Sequence, residues 1–165
     1  MEDLPYTTAP EFLALFDIDT DKKGAQDFCE LVRRMALVRR FPDLHIGCHD
    51  LVTYDLRVRH CSPLVYWSNM RRAIAPALDA DRETLKALLG FSVPGEGNIT
   101  VYALAVSLSG SLSLMQAEWY RRLMARHAAK ELPDDVAAPV FLAQDADRRE
   151  AEQIAAAVRA SARKK

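Results

Sequence analysis

Three of the four histidines and two of the three cysteines of this 165-residue chain fall within residues 42–63: His45, Cys48, His49, His60 and Cys61. Neutral imidazole and thiolate are the usual ligands of zinc and iron. If residues 42–50 are helical, His45 and His49 lie one turn apart on the same face, and Cys48, His60 or Cys61 can complete a tetrahedron where the chain returns. The spacing is not that of a zinc finger, which needs a close Cys pair and a close His pair, and Gly47 weakens the helix that would hold the imidazoles. No cofactor is therefore the primary expectation, with zinc or iron held by His45, Cys48, His49 and His60 as the alternative. Cys48 and Cys61 also have His and Asp neighbours of the types a nucleophile needs. No glycine-bounded nucleophile or oxyanion-hole sequence surrounds them, which favours binding over catalysis.

Phosphate recognition is the second chemistry available. Arginine outnumbers lysine by sixteen to six, and five adjacent pairs occur: Arg33/Arg34, Arg39/Arg40, Arg71/Arg72, Arg121/Arg122 and Arg148/Arg149. A guanidinium binds phosphate bidentately and stacks on bases. The net charge of −1 hides a polarity: residues 1–31 hold eight carboxylates against two lysines, and residues 32–130 hold fourteen cations against eight carboxylates. The candidate phosphate-contacting set is Arg33, Arg34, Arg71, Arg72, Arg121, Arg122 and Arg126. Arg122 and His127, five residues apart, are a further pair of types that can act on a backbone phosphate. Residues 99–130 also read as helix, Ser109-Gly110-Ser111 turn, and a second helix bearing Gln116, Arg121, Arg122 and Arg126, the layout of a helix-turn-helix.

These side chains must be positioned by helices. Thr8 caps a short helix opening at Ala9-Pro10, after a loose tail over residues 1–7. Asp17, Asp19 and Asp21 lack the glycine and the distal glutamate of a calcium loop and are expected to cap the next helix, over residues 21–41. There Phe28, Leu31, Val32, Met35 and Val38 recur at helical spacing, so it is the core helix. Beyond a weak turn of helix at 42–50, Val52, Tyr54, Leu56 and Val58 alternate with Thr53, Asp55, Arg57 and Arg59, the pattern of a half-buried strand or hairpin over about residues 51–60. Ser62-Pro63 starts a helix that Pro76 is expected to stop. Asp79 or Asp81 starts a short one ended by Gly90. Residues 91–97, FSVPGEG, read as a hinge or linker. Asn98 caps a segment in which helix and strand propensities conflict. Ser113 and Gln116 open a helix to about Lys130, and an Ala-rich, weakly packed helix over 140–165 has Ile154 and Val158 as anchors.

The expectation is one mostly α domain over residues 1–165, with six or seven helices and one short strand or hairpin. No apolar run approaches a membrane span and no basic, apolar leader is present, which places the protein in the cytoplasm. Three cysteines without framework spacing point to reduced thiols. Composition and motifs together favour a non-catalytic binding protein that contacts nucleic acid or a nucleoprotein assembly. The alternative is a protein–protein adaptor, inhibitor or assembly subunit without nucleic acid; a homo-oligomer is compatible with both.

Overall fold

The computed structural model describes residues 4–163. Seven α-helices follow one another: α1 (Ala9–Ala14), α2 (Lys23–Arg39), α3 (Cys48–Arg59), α4 (Pro63–Leu78), α5 (Arg82–Leu89), α6 (Val101–Ala128) and α7 (Asp134–Arg163), with a 3-10 turn at Pro42–Leu44 between α2 and α3. No strand occurs among the described residues. The mostly α, single-domain expectation holds, and the helix count is at its upper bound.

Helix α2 is the axis of the domain. Phe28, Leu31, Val32 and Met35 have no exposure, and α6, α4, α7, α3 and α1 all pack on it. Its apolar residues form a broad buried stripe that the surrounding helices cover, while Lys23, Gln26, Glu30, Arg33 and Arg39 stay exposed. The core continues into Phe12 and Leu13 of α1, Met70 and Ile74 of α4, Leu85 and Leu89 of α5, and Leu104 and Leu108 of α6. Of the expected loose tail, residues 1–3 lie outside the described residues, whereas Tyr6 is buried and its hydroxyl donates to the Leu88 carbonyl at 2.7 Å.

The strand expected over residues 51–60 is helix α3. The alternation misleads because Asp55, counted among the outward polar positions, is buried. It pairs with Arg34 of α2 at 3.1 Å and accepts from the Tyr66 hydroxyl of α4 at 3.0 Å. Leu51, Val52 and Asp55 then form one helical face, and Val58 is left exposed. At the start of α3, Gly47 N–H donates to the Asp50 carboxylate at 2.8 Å.

Pro76 does not stop α4. The helix runs to Leu78 with a kink at Ile74 (φ −111°, ψ 16°), which relieves the proline ring and its missing donor. Arg82 of α5 donates to the carbonyls of Val93 (3.0 Å) and Gly97 (2.7 Å) within the loop 91–97.

The expected break at Ser109-Gly110-Ser111 is also absent, since α6 is continuous from Val101 to Ala128 and capped by Thr100 rather than Asn98. Ser107, Ser109, Gly110 and Ser111 are buried inside it, their small side chains permitting close approach. The hydroxyls find acceptors without breaking the helix: Ser109 Oγ donates back to the Val106 carbonyl of α6 at 3.0 Å and Ser111 Oγ to the Leu89 carbonyl of α5 at 2.5 Å. Without a turn there is no separate recognition helix, so the helix-turn-helix layout is lost. Helix α7 starts at Asp134 and folds back along α6. Its Ala151 and Ala155 are buried with Leu37 and Leu44, Val158 joins the main core, and Ile154 packs against both clusters.

Candidate functional site

At the start of α2 the sequence leaves the backbone uncapped. Asp19 and Asp21, expected to cap this helix, do not: Asp19 Oδ1 accepts from Asp21 N–H at 3.0 Å, and Lys22 stands at the cap position with no side-chain bond to the first turn. No acidic residue occupies that turn. The positive end of the helix dipole is thus left without the carboxylate that usually faces it.

Around this end lies an open cleft of about 860 Å³, walled by α2, by Arg59 and Cys61 at the end of α3, and by α4. Four cations line it, Lys22, Lys23, Arg59 and Arg72, against one carboxylate, Asp27. Asp27 accepts from Arg59 (3.0 Å) and lies 3.4 Å from Lys23 Nζ. Partial burial pushes its carboxyl up, and the hydrogen bonds and charges of Arg59 and Lys23 more than reverse this, leaving it below the ordinary carboxylate range. The Arg59 guanidinium also lies 5.7 Å from the centre of the Tyr66 ring. Arg72 Nη2 donates only to the Asn69 side chain, at 2.7 Å. Lys22 has no ion-pair partner among the described residues. Gly24 forms part of the floor, where α2 and α4 approach so closely that a Cβ would lie 2.4 Å from the Asn69 carbonyl oxygen.

The arginines singled out from sequence are dispersed. Arg33 bridges Glu30 of its own helix and Glu150 of α7, and Arg34 is tied to buried Asp55. Arg121 and Arg122 both bind Glu118, which the Arg121 hydrogen bond, with that of Arg122, holds at a pKa of about 2. Arg126 is exposed on the far half of α6, and adjacent Arg71 and Arg72 open on different sides of α4. Only Arg72 of that set enters the cationic cleft.

Comparison with protein-family models, curated proteins and solved structures finds no match. The site is therefore judged on its own chemistry.

The His/Cys cluster does not converge. His45 is the left-handed residue closing the 3-10 turn (φ 56°), and Ile46-Gly47 separate it from α3, so it does not share a helical face with His49. His49 and His60 stand at opposite ends of α3, about 16 Å apart along the axis at 1.5 Å per residue. Among the described residues no three His, Cys, Asp or Glu side chains gather as a metal-binding set. Cys48 lies 4.0 Å from the Arg39 guanidinium, while Cys61 lines the cationic cleft. Arg122 and His127 do not face a common point either: His127 Nε2 is 3.2 Å from Asp134, with its ring edge-on to Phe141.

Sequence reasoning missed Lys22, Lys23 and Arg59. The available signal was local: two lysines followed by Gly24 and Ala25, at a helix start with neither cap nor acid. The acidic total of residues 1–31 masked it.

Proposed function

We propose that the protein is a non-catalytic binding protein that contacts the phosphate backbone of nucleic acid through the cleft at the start of α2. The observation that carries this is four cationic side chains around an open cavity with a single counter-carboxylate. A cleft lined by one sign of charge focuses the potential into its low-dielectric interior and raises the local concentration of a polyanion. The uncapped amides of α2 add donors of the right polarity. A cleft between helices admits an extended single strand, or the end of one, more readily than a duplex face. Lys22, Lys23 and Arg72 are the phosphate-contacting residues, and Arg59 is retained by Asp27.

The test is fluorescence anisotropy with a labelled single strand across a range of salt. Three neutralised phosphates give a slope of about −2 in log K against log salt, so affinity falls roughly twentyfold for a fourfold rise in salt. Lys22→Glu and Arg72→Glu each weaken binding and make the slope shallower. The reading fails if no binding is seen at low salt, if binding is insensitive to salt, or if neither variant changes it. Failure leaves the assembly-subunit alternative.

A further inference from the structure

Two surfaces of this chain are left uncovered, and they are opposite in shape. The first is a groove of about 840 Å³ between α3, α4 and the start of α6, on the side of α4 that bears Arg71. Val52, Leu56, Trp67 and Val101 line it, Leu64 forms its lip at 76% exposure, and Trp67 and Tyr102 meet edge to face at 6.0 Å. Its ionisable lining is cationic or neutral, Arg71 and His49 with Tyr102, and contains no carboxylate. Arg71 makes no ion pair among the described residues.

The second surface is convex. In the first half of α7, residues 135, 139, 142 and 146 recur at helical spacing on one exposed face: Asp135, Pro139, Leu142 and Ala146, with Asp145 beside them. Leu142 is 66% exposed and Val136 49%, on the part of α7 that precedes its buried Ala151 and Ala155. This is an amphipathic helix face with an apolar centre at Leu142 and carboxylates at Asp135 and Asp145, followed by exposed Arg149 one turn beyond Ala146.

We infer that the first half of α7 in one copy docks in the groove between α3, α4 and α6 of a second copy, with Leu142 entering beside Trp67 and Asp145 facing Arg71. An apolar groove with a cationic rim takes an amphipathic helix by burying its i, i+3, i+4, i+7 anchors, and opposite charge at the rim sets partner and register. The stripe supplies that spacing, and Asp145 offers the carboxylate that Arg71 lacks among the described residues. Because each copy carries both surfaces, the contact can be made twice about a two-fold axis, which doubles the buried area and closes the assembly. The inference is independent of the cationic cleft, which lies on the other side of α4.

Sedimentation velocity across micromolar concentrations tests it. The wild-type chain self-associates, and Leu64→Glu and Leu142→Glu, both at exposed positions that leave the fold intact, each raise the dimer dissociation constant at least about tenfold. Arg71→Glu and Asp145→Arg each weaken association, and the double variant, which restores opposite charge across the interface, recovers it. A wild-type chain that stays monomeric overturns the inference. So does a Leu64→Glu or Leu142→Glu variant that associates as the wild type does, or a charge-swapped double variant no tighter than the single ones.

Discussion

Gly24→Ala tests the close approach that forms the floor of the cationic cleft. In an exposed helix, alanine is better than glycine by about 0.8–1 kcal/mol. Gly24 does not have a positive φ, so backbone strain does not enter. The added Cβ, however, would lie 2.4 Å from the Asn69 carbonyl oxygen and 2.9 Å from Ala73 Cβ, where ordinary contact begins at 3.4 Å. Neither neighbour is the end of a flexible side chain, so the start of α2 and α4 must move apart by about 1 Å, the difference between 2.4 and 3.4 Å. Overpacking costs about 1–3 kcal/mol, and a clash with backbone and a Cβ, neither of which can swing aside, falls in the upper part of that range, about 2–3 kcal/mol, for a net loss of about 1–2 kcal/mol. Urea denaturation reads this as a lower midpoint at unchanged slope. Gly110→Ala is the control. The three heavy atoms nearest its Cβ all belong to the Arg39 guanidinium, the closest at 3.2 Å, so a few tenths of an ångström of side-chain movement suffices, at some cost to the Arg39 bonds to Val106 and Ser109. There the propensity gain offsets that cost, and stability stays within about 1 kcal/mol of the wild type. A Gly24→Ala protein as stable as the wild type, or a Gly110→Ala loss as large as that at Gly24, refutes the reasoning.

Two other perturbations have signs fixed by the structure. The folded-state pKa of Asp27 is lowered, so its ion pairs contribute stability above the ordinary carboxylate range and lose it as pH falls through the lowered value, below about 4. Asp27→Asn should therefore melt below the wild type at neutral pH, with the gap narrowing in acid, and should bind a single strand more tightly, since the cleft loses its one negative charge; equal gaps at neutral and strongly acid pH contradict this. Asp147→Ala leaves the Arg40 guanidinium, whose side chain is only 6% exposed and lies 4.6 Å from the Tyr120 ring, without its carboxylate. Asp147 is itself one-third exposed and water can take its place, so the expected loss is about 1.5–3 kcal/mol rather than that of a fully buried pair, read as a lower Tm.

What could be read from the sequence was what depends on apolar spacing. Helix α2 was legible because Phe28, Leu31, Val32, Met35 and Val38 satisfy the helical period, and α1, α4 and α5 because Thr8, Ser62 and Asp81 are caps whose side chains accept from the first turn. The two errors of element type share one cause, a polar residue assumed to face water. Asp55 turned α3 into an apparent strand, and Ser109 and Ser111 turned the middle of α6 into an apparent loop. All three are buried and bonded: Asp55 to Arg34 and Tyr66, Ser109 to Arg39, Ser111 to the Leu89 carbonyl. Burial of a polar group is decided by partners distant in the chain, so the local pattern does not register it.

The same cause explains why the arginine pairs are dispersed over the molecule rather than gathered on one face. Adjacent residues on a helix are turned about 100° from each other, so the members of a pair reach different neighbouring helices, although Arg121 and Arg122 both fold back on Glu118 of their own helix. Arg33 reaches Glu150 of α7 while Arg34 reaches Asp55 of α3. Arg39 donates to the Val106 carbonyl and Ser109 of α6 while Arg40 pairs with Asp147 of α7. Two pairs on α2 thus brace it to three other helices, a use of guanidinium that needs several donors and a long reach rather than phosphate. The pair Arg71/Arg72 obeys the same rule but has no carboxylate partner among the described residues, so its two members open onto two cavities: Arg72 on the cationic cleft, Arg71 on the apolar groove. An arginine pair is left free for a ligand only where the neighbouring helices offer no carboxylate, and that condition is visible only in the folded chain.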